Sequence, residues 1–154
     1  MRRRRPEKRK ILPDPLFNSL SIAKFINYIL DSGKKGVSEK IFYGAMDIIK
    51  SKTKKDGIDI FDIAIKNASP LLEVKTRRIG GANYQVPIEV PKNRQFFLAS
   101  KWIISSAKGR SGKSMSERLA TEFISAANNE GGAIKKKEDV HRMAEANRAF
   151  AHFR

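Results

Sequence analysis

Residues 107–114, AKGRSGKS, follow the looser order of a phosphate-binding loop, a small residue and then Gly-Lys-Ser. In a nucleotide hydrolase that loop leaves a buried strand and opens a helix, so that backbone N–H groups cradle the phosphates. Here the preceding residues Phe96, Ala99, Ile103 and Ala107 have helical spacing, and no later aliphatic strand ends in an Asp suited to magnesium. Nucleotide hydrolysis lacks its framework. A phosphodiester backbone fits the same residues: Gly109 and Gly112 admit close approach, and Lys108, Arg110 and Lys113 bring charge. A solvated helix connection is the alternative. A second cationic run, Lys75, Arg77 and Arg78, leads to Gly80 and Gly81, with Asn83 and Tyr84 beyond. Tyr84 is placed either to stack on a base or to anchor its own segment. The opening MRRRRPEKRK has seven basic side chains, and GKKG supplies Lys34 and Lys35. His141 and His152 have no Cys and no Ser triad beside them, so each reads as a polar edge contact or a nucleic-acid donor, not a catalyst.

The whole chain agrees with a polyanionic partner. Its 154 residues hold 32 Lys and Arg against 16 Asp and Glu, a formal charge of +16. An anionic membrane is the weaker choice, since no apolar run approaches the roughly 20 residues a spanning helix needs. No Cys means no disulfide and no thiolate metal site, and no metal or other cofactor is expected. A nuclease would need a carboxylate cluster, whereas the acids here are scattered among helix caps and pairs such as Glu138 with Arg142. A helical DNA-binding regulator would share the charge, but no helix pair reads as a turn leading into a base-reading helix.

The elements that must position these residues are mostly helical. Ile22, Phe25, Ile26, Ile29 and Leu30 form a first stripe; Ile41, Ala45, Ile48 and Ile49 a second, behind Ser38 as N-cap. Asp59 is the expected cap of a third helix bearing Phe61, Ala64, Ile65 and Ala68. Pro91 suits the start of a fourth, and Ser114 with Glu117 has the capping-box spacing before a fifth. Val140, Met143, Ala146, Phe150 and Phe153 read as one closing helix. Between helices three and four, residues 72–90 alternate apolar and polar in two runs, a hairpin that turns within Ile79 to Asn83. Pairing 74 with 88 and 76 with 86 puts both apolar sets on one face, with Arg78 on the face of Tyr84. The fold class is mainly α: a single-domain bundle of about six helices, residues 14–154, with a protruding two-stranded arm. A disordered basic extension, residues 1–13, precedes it. The basic segments would form a broad cationic surface if they converged on one side.

The runs RKILPDP, RRIGGANYQVPIEV, KSM and EDVHRMAEANRAFAHFR resemble the ribosomal protein S-seven family, in its bacterial or organellar form, over nearly the whole chain from Arg9 to Arg154. The resemblance implies a six-helix bundle with a β arm. It also implies a non-catalytic role: a primary binder of small-subunit ribosomal RNA that nucleates assembly of the head. Its place would be the subunit interface near the decoding region, the tRNA exit site and the messenger path. The family's RNA-binding regions fall on Arg9 and Lys10, on Lys34 and Lys35, on Lys75, Arg77, Arg78, Gly80 and Gly81, and on Lys108, Arg110 and Lys113. Arg3, Arg4, Arg5, Arg94 and Arg142 complete the candidate RNA contacts. Arg77, Arg78, Gly80, Gly81, Asn83 and Tyr84 would form an arm tip facing tRNA. The implied partners are that RNA, exit-site tRNA, mRNA and neighbouring small-subunit proteins such as nine and eleven. The implied location is a ribosome of the cytoplasm or of an organelle.

Overall fold

The computed structural model describes residues 10–112 and 114–153. They divide into two compact units, one ending at Glu39 and the other starting at Lys40. The proposed arm residues Arg3, Arg4, Arg5 and Arg9, with Lys113, lie outside the described residues, as does most of the basic extension.

In the first unit Asp14 is buried, and its Oδ2 accepts from the backbone N–H of Leu16 at 3.2 Å and of Phe17 at 3.1 Å. That carboxylate turns the chain through ILPDPLF. Ser19 then caps α1 (Leu20–Ile29), whose buried stripe is Ile22, Phe25, Ile26 and Ile29. Helix α2 (Lys35–Thr53) starts earlier than a Ser38 cap would have it. Ser38 lies inside the helix, and its hydroxyl donates back to the carbonyl of Lys34 at 3.4 Å. Lys35 therefore belongs to the first turn, 3.8 Å from Glu39 one turn on.

The core of the second unit is a chain of edge-on rings. Phe42 of α2 meets Phe61 of α3 (Gly57–Ala68) at 5.6 Å between centroids, and Phe61 meets Phe123 of α5 (Met115–Ala127) at 5.5 Å. Asp56, not Asp59, caps α3, accepting from the N–H of Ile58 at 3.3 Å. Asp56 is the last extended residue and the helix opens at Gly57, where a Cβ would stand 3.1 Å from Sδ of Met46. Asp59 falls in the first turn, where a carboxylate complements the helix dipole. Ser114 caps α5 as its spacing predicts, 3.2 Å from the N–H of Glu117.

Helix α4 (Lys92–Gly109) packs on α3, α5 and α6 (Gly132–Ala146). Its N-cap is Pro91, and it runs through Lys108 and Gly109, so the loop expected at 108 begins two residues later. The closing helix is broken where periodicity carries it straight on. At Asn147 both the backbone N–H, at 3.1 Å, and the side-chain amide, at 2.8 Å, donate to the carbonyl of Met143. This local competition ends α6, and a 3-10 segment, Arg148–Phe153, follows.

Strands β1 (Leu72–Ile79) and β2 (Ala82–Glu89) form the expected hairpin in another register. Ile79 pairs with Ala82, so Gly80 and Gly81 alone make the turn, with φ of 57° and 87° as a two-residue type I′ connection requires. Val74 then faces Pro87, Thr76 faces Gln85, and Arg77 rather than Arg78 lies opposite Tyr84. A one-residue shift turns one strand over relative to the other. The inward position of β1 thus goes to Glu73, buried beside a cation, while Val86 is fully buried on β2.

Candidate nucleic-acid interface

The arm is fastened at its root. The backbone N–H of Leu71 donates to Nε2 of His141 on α6 at 3.0 Å, which requires the imidazole to be unprotonated at that nitrogen. Burial, and then the nearby Lys137 ammonium, push the His141 pKa below its ordinary value, favouring that neutral form. Of the two readings of His141, polar edge contact or nucleic-acid donor, this bond matches the first. Tyr84 anchors as well: its ring lies 5.4 Å from that of Phe150.

One turn of strand above the root, Glu73 collects two candidate RNA residues. Its side chain is 11% exposed and lies 3.3 Å from Nη2 of Arg94 and 3.4 Å from Nζ of Lys75. Arg94 also stands over the ring of Phe97, 5.3 Å from its centroid. Arg94 braces the arm against α4, Lys75 pairs with Glu73 along its own strand, and part of each cation still meets water.

Beyond them the arm is bare. Lys75 through Asn83 are all exposed. Among the described residues Arg77 and Arg78 have no ion pair. A Cβ built on Gly80 or Gly81 would meet nothing within 4 Å, so the turn presents naked backbone.

The other end of α4 is arranged differently. Lys108, in the last helical turn, is exposed. Arg110 is directed inward: its Nε donates to Oε2 of Glu122 at 2.5 Å and its Nη2 to the hydroxyl of Ser125 at 3.0 Å. Arg142 stands out from α6 with a loose 3.9 Å pairing to Asp139, in place of the Glu138 pair its spacing suggested. In the first unit Lys10, Lys34 and Lys35 are exposed. The cations of the second unit do not gather at one point. Arg94 and Lys108 lie fourteen residues apart along α4, about 21 Å at 1.5 Å per residue.

Sequence reasoning passed over Arg118, Lys135 and Lys136. Arg118 donates from Nη1 to the carbonyl of Lys108 at 3.3 Å, and Lys135 and Lys136 are exposed in the opening turns of α6. The KKK run was the available signal for the lysines; nothing local marks Arg118.

Among the described residues no three His, Asp or Glu side chains are placed to hold a metal, and no helix is long and apolar enough to cross a membrane. What is present is cationic side chains and open glycine backbone, the equipment for holding phosphates. Comparison with known proteins agrees with that chemistry. The family model described as ribosomal protein S7p/S5e matches residues 1–148. A small ribosomal subunit protein uS7 from Thermotoga maritima is 58% identical over 154 residues, all of this chain and 99% of that protein. The uS7 proteins of Dechloromonas aromatica and Teredinibacter turnerae are 57% and 55% identical over 153 residues, covering 99% of this chain and 98% of each. With matches of that length and identity, the chain belongs to the ribosomal protein S7p/S5e family.

Proposed function

We infer that the chain is a structural, non-catalytic protein of the small subunit of the cytoplasmic ribosome, and that it binds small-subunit ribosomal RNA as a primary nucleator of head assembly. Its place is the subunit interface near the decoding region. There the arm tip, Arg77, Arg78, Gly80, Gly81 and Asn83, faces exit-site tRNA, with Tyr84 anchoring it on Phe150, and the protein also contacts mRNA. Neighbouring small-subunit proteins, nine and eleven among them, share the site. Residues 1–13 act as a basic extension, and residues 14–154 as the helical domain. The supporting observation is the bare outer half of the arm, with Arg77 and Arg78 exposed beside an open Gly80–Gly81 turn. An RNA junction is concave and densely charged, and a narrow cationic projection can follow its phosphates where a bulky element would clash.

The test is binding of purified protein to the lower part of the small-subunit RNA head domain, against unrelated structured RNA and duplex DNA, across a salt series. A preference of about a hundredfold surviving physiological salt exceeds what counterion release alone supplies. Equal binding to all three, vanishing together with salt, would overturn the assignment and favour a helical DNA-binding regulator.

A further inference from the structure

We propose that Glu122 and Arg110 are positioning residues for RNA binding, with one buried carboxylate setting where two cationic segments present their charge. The inference rests on the RNA-binding reading above. The segments are the end of α4 at Lys108 and the start of α6 at Lys135 and Lys136.

Glu122 is fully buried in the middle of α5. A carboxylate there is tolerated only when its oxygens are satisfied. Both are: Oε2 accepts from Arg110, and Oε1 accepts from the backbone N–H of Ala133 at 3.0 Å. The second bond supplies a missing cap. Helix α6 begins after Gly131, which has no side chain to satisfy the exposed N–H groups of the first turn. Glu122 provides that acceptor from a different helix, with its charge on the positive end of the α6 dipole.

The joint is closed around this carboxylate. Gly131 holds φ at 94°, and a Cβ there would stand 3.1 Å from both Oε1 of Glu122 and Cβ of Ser125, and 3.3 Å from Nη2 of Arg110. Arg118 braces the outside, donating to the carbonyl of Lys108; a Cβ on Gly112 would come within 2.8 Å of its Cγ. Arg110 cannot turn its Nε to a phosphate without abandoning Glu122. A buried acid that joins two cationic segments thus helps a polyanion bind.

The experiment uses the full chain and the head-domain RNA fragment, at a temperature where circular dichroism shows each variant folded. Glu122→Gln removes a negative charge and should tighten binding if only net charge mattered. The joint instead requires a loss of about tenfold, with the log–log salt slope unchanged. Arg110→Lys keeps the charge but cannot span Glu122 and Ser125 together, so it should weaken binding with the same unchanged slope. Lys108→Gln should lower the slope by about 0.7 to 0.9, as loss of a phosphate contact does. Hydroxyl-radical footprinting separates positioning from general loss of stability. RNA protections that disappear in Lys108→Gln, or in a Lys135→Gln/Lys136→Gln double variant, should fade in Glu122→Gln, while those sensitive to Arg77→Gln/Arg78→Gln persist. Glu122→Gln binding as well as the parent, a slope decrease of about 0.8 in Arg110→Gln, or uniform fading of all protections would each overturn the inference. If Glu122→Gln does not fold, Arg110→Lys decides. A parent with no preference for this RNA would sink the functional reading instead.

Discussion

At the arm tip two arginines stand beside two glycines with nothing built around them, whereas at the end of α4 an arginine beside a glycine turns back into the protein. Arg77 and Arg78 are exposed and have no ion pair among the described residues, while Arg110 is held by a carboxylate with no solvent exposure. The two segments have similar composition, yet only the first leaves all its charge available. The difference lies in what the rest of the fold brings near: open space around β1 and β2, Glu122 beside α4. A basic residue's use is decided by its distance to the nearest buried acid.

Stability gives the largest contrast. Arg110→Ala leaves Glu122 buried without its charged partner and should lower the unfolding free energy by about 3 kcal/mol in urea titration. Arg78→Ala at the tip should change it by less than about 0.5 kcal/mol. Equal effects would erase the distinction between the regions. Salt dependence sharpens it from the other side. Arg77→Gln with Arg78→Gln should flatten the log–log slope of RNA affinity by about 1.5, two contacts at roughly 0.7 to 0.9 each, while Arg110→Gln leaves it unchanged.

The glycines offer a smaller test. Gly81 and Gly131 share a positive φ, so alanine at either carries a backbone penalty of about 1 kcal/mol. Only at Gly131 would the methyl also press on Glu122 and Ser125. Gly131→Ala should therefore lower the melting temperature more than Gly81→Ala does. The smallest effect is a pH dependence at the arm root. The folded-state pKa of His141 is depressed, chiefly by burial, so its contribution is fully present above the unfolded value of about 6.5. It is lost as pH falls, because protonation removes the acceptor for the Leu71 N–H. Thermal melts between pH 7.5 and 5.5 should show a shallower decline in His141→Gln than in the parent.

Helices announced themselves through apolar stripes, and the expected six are all present with one hairpin. Errors fell where a local signal competed with a stronger one. The alternation of Val74 and Thr76 with Val86 and Ile88 predicts one register, but the two-residue turn at Gly80–Gly81 fixes another, and burial of Glu73 beside Arg94 makes the polar position an inward one. Asp59 and Ser38 have good capping chemistry, yet Asp56 takes the cap of α3 and α2 opens at Lys35, so both lie inside their helices. Asn147 breaks a stripe that looks uninterrupted because its amide folds onto its own helix. At the candidate interface the cationic segments were legible as runs. The inward turn of Arg110 was not, because its partner lies twelve residues away on the next helix.

Among the described residues the sheet has two strands and no interior one, so in the exposed outer part of the arm, from Lys75 to Asn83, neither strand has a further strand beside it. Such edges invite pairing with another strand, and an exposed hairpin in a free protein would be a template for self-association. Lys75, Arg77 and Arg78 lie along β1, and Pro87 offers no donor from β2. Two molecules meeting β1 to β1 would bring like charges together, and a partner seeking β2 would find its ladder interrupted. The residues that suit the arm to a polyanion also keep it solvated and unpaired until that polyanion arrives.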